Sequence, residues 1–316
     1  MTALSPLKKV LIIGYGSQAK AWSYCLNESL VSVEIFLHQR EKSYKTAKEA
    51  GFSVHLIGEL PSRLDKFSQN IIAYLCPDTV SGSIYREFVA PHKFDVINVL
   101  AHGYAKLSND FKTLKESHKS ALFAPKAIGP KIKDAYDKDF PHSLKAAIDF
   151  SELNDHEKQS ALTLSKALGF KKENLIETSF KNETVADLIS EQMILCGTLF
   201  SSLIYSIEKL KEQKIPMELI EQECISEIEL IAQMLKEKGI MGTFNAISAV
   251  AQEGTFQVYE QSKTLPLKSI IEEQSKAIDS GIFHEILKKR DLNPSLVQIK
   301  KEFITRLSAL QNKDLK

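Results

Sequence analysis

The sequence predicts an α/β protein, with an N-terminal Rossmann-type doubly wound parallel sheet followed by an all-helical C-terminal domain. Three observations predict it. Short apolar runs rich in β-branched residues alternate with helical periodicity as far as residue 177, the first run opens directly into a glycine turn, and after Phe180 long helical periodicity replaces the strand pattern. At 316 residues, 43% hydrophobic and 26% charged, the chain is long enough for two cores. The reading places a dinucleotide-binding domain over 1–181 and a helical domain over 182–316.

The first strand is 9–13, a β-branched run that ends at Gly14-Tyr15-Gly16-Ser17-Gln18-Ala19 and passes into a helix through Leu26. Strand 32–37, helix 42–50, strand 70–76 and helix 79–88 repeat the alternation, and strands follow at 95–100, 121–125 and 144–149. An amphipathic helix over 155–168, closed by Gly169, leads to a last short strand at 175–177. A helix then spans about 185–211, ended by Lys214-Ile215-Pro216, and a second spans 217–237, ended by Gly239. Further helices are expected at 243–260, 267–280 and 296–310, and the charged tail beyond is read as frayed.

A net charge of +1 leaves no electrostatic footprint for nucleic acid or an acidic membrane, so small molecules and other subunits are the expected partners. Cys25, Cys76, Cys196 and Cys224 stand far apart with no C-x-x-C pair, and read as buried free thiols of a reducing compartment. The five-residue apolar run before Gly14 is too short for a signal peptide, and no run reads as a membrane span; the expected location is cytoplasmic. Helices apolar on several faces beyond Asp187 imply a homodimer or higher homo-oligomer built through the helical domain.

Gly14, Gly16 and Ala19 fit G-x-G-x-x-G/A directly after a strand and before a helix. The first glycine permits the tight turn, the second lets the backbone approach a pyrophosphate, and the helix N-terminus offers free N–H groups to its charge. Tyr15, Ser17 and Gln18 complete the turn; the alternative is a tight turn that binds nothing. At the end of the second strand stands His38-Gln39-Arg40-Glu41-Lys42-Ser43. Arg40, Lys42 and Ser43 suit the 2′-phosphate of NADP(H), whereas Glu41 argues for NAD(H), and a solvated helix start is a third reading.

Asp187 and Glu191 are four apart on the first long helix, and Glu223 and Glu227 are four apart on the next, so each pair shares a face. The row from Glu223 and Glu227 continues into Leu230 and Met234, while Gln222, Ser226, Glu229, Gln233 and Glu237 form the solvent face. Asp187 and Glu191 continue into Ile194, Leu195 and Thr198. Carboxylates on a stripe that packs need neutralising, and four of them suit Mg²⁺, which takes oxygen ligands. The alternatives are Asp187 as the N3 residue of a capping box with Thr184, and Glu223 and Glu227 as salt-bridged edge residues.

From about Lys9 to Gly254 the sequence resembles the ketol-acid reductoisomerase (acetohydroxy-acid isomeroreductase) family. GYGSQ at 14–18 looks like its nucleotide turn, AHG at 101–103 like its histidine segment and APK at 124–126 like its lysine segment. FKNETVADLISEQMILCG at 180–197 and ECISEIELI at 223–231 are similar to its two metal helices. The resemblance implies an NADPH- and Mg²⁺-dependent enzyme of branched-chain amino acid (isoleucine and valine) biosynthesis, converting 2-acetolactate-type acids to 2,3-dihydroxy acids. It implies that Asp187 bridges two Mg²⁺ ions, that Glu191 holds one, and that Glu223 and Glu227 reach the metals or substrate across a dimer interface. His102 and Lys126 would lie by nicotinamide and substrate, and Ser248 matches the substrate-binding serine. Their bland readings are a strand cap, a surface lysine and a small helical residue.

The chain departs from that pattern in two places. Ala127-Ile128-Gly129-Pro130-Lys131 replaces the glycine-rich run after the lysine, and Ala249-Val250-Ala251-Gln252-Glu253-Gly254 replaces a polar run with Glu and Tyr. Both lie near the substrate pocket in the family. They admit a divergent member that reduces another 2-keto or 3-hydroxy acid without the alkyl shift, or a catalytically silent nucleotide-binding subunit.

Overall fold

The computed structural model describes residues 7–66, 68–107, 111, 114–138, 144–262, 267–289 and 292–310. The tail expected to fray lies outside them. The chain divides into two compact units, Met1–Thr184 and Val185–Lys316.

The first unit is built on an eight-stranded sheet of order β3-β2-β1-β4-β5-β6-β7-β8. The strands are β1 (Lys9–Ile13), β2 (Ser32–Leu37), β3 (Ser53–Leu56), β4 (Asn70–Tyr74), β5 (Val96–Leu100), β6 (His118–Pro125), β7 (Ala146–Asp149) and β8 (Leu175–Glu177). Helices α1 (Ser17–Glu28), α2 (Lys42–Glu49), α3 (Leu60–Arg63), α4 (Asp78–Ile84), α5 (Tyr104–Leu107), α6 (Gly129–Asp137) and α7 (Asp155–Ala167) join them. Both faces of the sheet are covered, which is why β1 reads as an unbroken apolar run: Val10 and Ile12 enter one core with Trp22, Leu26 and Phe123, while Leu11 and Ile13 enter the other with Phe36, Ile72 and Leu122. Trp22 meets Phe123 edge-on at 5.4 Å between ring centroids.

Two details correct the expected sheet. β7 runs antiparallel to β6, with Leu122 opposite Asp149, whereas every other pair is parallel. An apolar run carries no direction, so the sequence pattern does not tell a parallel neighbour from an antiparallel one. β3 is an additional strand, too short and too polar in Ser-Val-His-Leu to stand out.

His118, at the start of β6, is buried and shares a 2.9 Å hydrogen bond with the Tyr85 hydroxyl through Nδ1. Burial, then the Lys115 charge, lowers its pKa from 6.5. Above pH 6.5 the ring is neutral folded and unfolded; below it the unfolded chain takes the proton first, so this contribution is lost as pH falls through the folded pKa. The thermal midpoint is therefore expected to drop between about pH 7 and 5, and His118→Asn to flatten that slope. An unchanged slope in the variant would refute the assignment.

Along the second segment run α8 (Phe180–Ser190), α9 (Gly197–Glu212), α10 (Met217–Glu221), α11 (Glu227–Ala246), α12 (Ala249–Ser262), α13 (Leu267–Asp279), α14 (Ile282–Lys289) and α15 (Pro294–Leu310). Where two long helices were expected, π-helical turns intervene at Glu191–Leu195 and Gln222–Ser226. The helical path of α11 breaks at Gly239 as expected: its φ +68°, ψ 179° is not helical, and α11 is two helices joined across that kink. Arg306 on α15 grips Glu208 on α9 with both ends of its guanidinium, at 3.1 and 2.7 Å.

The apolar rows expected to pack do not pack within one chain: Ile194 is 68% exposed, Leu195 59% and Leu230 55%. Phe180–Glu212 is also long and apolar enough to cross a membrane by length and composition, which corrects the expectation that no run reaches that length. Cys25 is buried as expected, whereas Cys76, Cys196 and Cys224 are only partly so.

Candidate active site

β1 ends at the glycine turn, and its two glycines differ. Gly14 has φ +103° and donates its N–H to the Phe36 carbonyl, and a β-carbon there would collide with the Leu75 carbonyl. The fold itself demands glycine at 14. Gly16 is the extended N-cap of α1, and a β-carbon there would meet nothing within 4 Å. The protein leaves the space in front of α1 open, and no side chain caps the first turn of that helix among the described residues. Ser17 packs against Gly129 at the start of α6, and Gln18 Nε2 donates to the Ala127 carbonyl at 2.9 Å. Tyr15 is buried, its ring edge-on to Phe52 at 6.2 Å, so the side chain serves the core and only its backbone faces the turn.

At the end of β2, Arg40, Glu41, Lys42 and Ser43 are all exposed, with Glu41 the N-cap of α2 and Arg40 over the Tyr44 ring at 5.8 Å. Two cations, a serine and one acid thus stand together.

β5 and β6 are parallel neighbours, so His102, after β5, and Lys126, after β6, emerge at the same edge of the sheet. Glu183 on α8 joins them. Its carboxylate is 1% exposed; Oε2 accepts the Gly103 N–H at 2.8 Å, and Oε1 accepts Lys126 Nζ at 2.5 Å. His102 lies between two acids, with Nε2 3.9 Å from Glu183 and Nδ1 3.7 Å from Asp78. Gly103 admits no side chain, since Thr184 Oγ1 and the Phe180 carbonyl fill that place. The start of α8 is held by Asp149, whose Oδ2 accepts the Phe180 N–H at 3.0 Å. Lys106 pairs with Glu152 at 2.7 Å behind the histidine loop. Glu183 was not singled out from sequence, although the row Glu183, Asp187, Glu191, spaced by four, carried the signal.

Thr184 is inside α8, its hydroxyl donating to the Phe180 carbonyl at 2.8 Å, so it does not cap the helix and Asp187 is not an N3 residue. Asp187 is half-buried, and Glu191, Glu223 and Glu227 are exposed. Among the described residues, no three of these four bring carboxylate oxygens within 4.8 Å of one another in a single chain. Ser248 lies in the break before α12 and accepts the Ala251 N–H at 3.2 Å, a helix cap rather than a packed helical residue. An open cleft at the other edge of the sheet, lined by Lys9, Asn70, Asp95 and His156, contains none of the expected site residues.

A glycine turn open before a helix N-terminus, with a histidine, a lysine and a buried glutamate at the adjoining strand ends, defines a dinucleotide-dependent oxidoreductase. Residues 6–174 match the family model for the NADPH-binding domain of acetohydroxy acid isomeroreductase, and residues 180–310 match that for the C-terminal domain of ketol-acid reductoisomerase. The chain belongs to the ketol-acid reductoisomerase family.

A ketol-acid reductoisomerase (NAD(P)(+)) of Metallosphaera sedula is 32% identical over 290 residues, 90% of this chain and 84% of that one. A ketol-acid reductoisomerase (NADP(+)) of Pyrococcus abyssi is 31% identical over 87% of this chain and 81% of its own. Among solved structures, an NADH-preferring ketol-acid reductoisomerase from an uncultured archean superposes with TM-score 0.80 at 25% identity, covering 98% of this chain and 95% of that one. An NAD-binding semialdehyde dehydrogenase protein of Cupriavidus necator, 12% identical with TM-score 0.64 over 86% of this chain and 99% of its own, shares the fold.

Proposed function

We propose that the chain converts 2-acetolactate-type 2-acyl-2-hydroxy acids to 2,3-dihydroxy acids with NADPH and Mg²⁺, as a cytoplasmic enzyme of branched-chain amino acid synthesis. The observation that carries it is the Lys126–Glu183 pair beside His102: an acid–base relay at the strand ends that serve the glycine turn. When bound, the dinucleotide supplies hydride and the divalent cations polarise the carbonyl and hydroxyl oxygens of the substrate. The chain's own groups manage protons. Lys126 Nζ donates to Glu183 Oε1 and can present a proton to a substrate oxygen, while Glu183 Oε2 anchors the histidine loop through Gly103. His102, set between Asp78 and Glu183, can hold a proton at either ring nitrogen.

The donor set fits Mg²⁺: all four candidates are carboxylates, hard oxygen donors, and none of them sits deep in a core. Asp187 would bridge two ions and Glu191 would hold one. Glu223 and Glu227 would come from a second copy, since they do not converge on Asp187 within one chain. The test is NADPH oxidation with 2-acetolactate, and separately with the isomerised 3-hydroxy-2-keto acid, as Mg²⁺ is varied. A reductoisomerase consumes both and requires Mg²⁺ strictly for the first. Reduction of the second compound alone would favour the divergent reading, which Ile128 supports: it is 67% exposed after Lys126, where the family pattern has a glycine-rich run.

Two further outcomes are expected. NADPH is bound more tightly than NADH, with contacts from Arg40, Lys42 and Ser43 worth about one to a few kcal/mol in sum; equal dissociation constants at moderate salt would show that Glu41 governs the site. The exposed Ile194, Leu195 and Leu230 are covered by a second copy through the helical segment from 182 onward, which also holds the metal site. Light scattering at micromolar concentration is expected to report a dimer or larger, and a stable monomer would exclude this.

A further inference from the structure

Both helical runs that carry the candidate metal ligands leave the α-helical path at those ligands. Glu191 opens the π turn Glu191–Leu195, in which the Cys196 N–H donates to the Glu191 carbonyl five residues back at 2.8 Å. The turn Gln222–Ser226 contains Glu223 and ends directly before Glu227. A π turn adds one residue to the helix, so the face presented beyond it is rotated by about 100° from an uninterrupted α-helix. The row through Asp187 and Glu191 therefore passes to Cys196 rather than to Leu195. The turn Gln222–Ser226 packs against α9, so the rotation of α9 also bears on how the chain presents its second carboxylate pair.

Gly197 is the residue that admits the first wide turn. A β-carbon on it would overlap the Gln192 carbonyl oxygen, backbone five residues earlier, and Cys196 just before it is bent to φ −124°, ψ −63°. In a regular α-helix the carbonyl five residues back does not approach the Cβ, so the conflict arises from the wide turn itself. Gly254 on α12, by contrast, would meet nothing within 4 Å.

We propose that Gly197 is a positioning residue for the metal site: by admitting the π turn it fixes the rotation of α9 against the Asp187–Glu191 face. The proposal rests on the reading of those carboxylates as cation ligands. Its test is Mn²⁺ titration of the full-length protein by electron paramagnetic resonance, beside NADPH affinity and thermal unfolding. Gly197→Ala is expected to weaken Mn²⁺ binding tenfold or more and leave NADPH affinity within twofold. A residue needed only for stability would lower the unfolding midpoint without changing Mn²⁺ affinity of the folded protein, and that result would overturn the proposal. Should Gly197→Ala not fold, Gly197→Ala with Met193 deleted carries the test, because deletion restores α spacing and makes room for the methyl. That variant is expected to fold and to bind Mn²⁺ weakly; unmodified affinity in it would equally overturn the proposal. If the unmodified protein binds NADPH but no Mn²⁺, the ligand reading itself fails, an outcome distinct from unmodified and variant proteins binding alike.

Discussion

Asp187→Asn is expected to abolish turnover of 2-acetolactate, by a factor of at least about 10³, or roughly 4 kcal/mol of barrier. The amide keeps the size of the side chain and much of its hydrogen bonding but removes the charge that would hold two dications close together. Both ions weaken together, whereas Glu191→Gln and Glu223→Gln each weaken mainly one, and Glu227→Gln acts more on substrate affinity or turnover. Because Thr184 is intrahelical, no cap is lost in Asp187→Asn. Full Mg²⁺-dependent activity in the variant, measured with both substrates, would refute the bridging role.

Gly16→Val is expected to abolish dinucleotide binding while the protein stays folded, because the added side chain enters space that no protein atom occupies. Gly14→Ala is the contrasting case. There the β-carbon strikes the Leu75 carbonyl at a positive φ, so the expected result is loss of stability, of the order of a few kcal/mol, ahead of any effect on affinity. Calorimetric titration with NADPH beside thermal unfolding separates the two. Unchanged affinity in Gly16→Val would mean that the turn does not face a pyrophosphate.

The strand positions follow from local signals because each βα unit is short and its apolar run is nearly continuous, so β1, β2 and β8 are legible residue by residue. The helical segment is less legible. Gly239 reads as a stop and the helical path breaks there, but a second helix resumes at once, which the sequence does not show. The π turns are silent, since the same residues at the same spacing describe an unbroken α-helix until the tertiary path requires one extra residue.

The sequence by itself determined the two-part architecture, the glycine turn, and the residues that resemble the family's site, because these rest on local chemistry: β-branched runs, a positive φ that only glycine accepts easily, carboxylates spaced along a helix. Only the tertiary structure decided that β7 runs against β6, and that Glu183 is the buried partner of Lys126 and Gly103. It alone showed that Ile194, Leu195 and Leu230 are uncovered within one chain. Lys126 and Glu183 are 57 positions apart, and a carboxylate becomes a hub only when folding removes its water and supplies an ammonium and an N–H in its place.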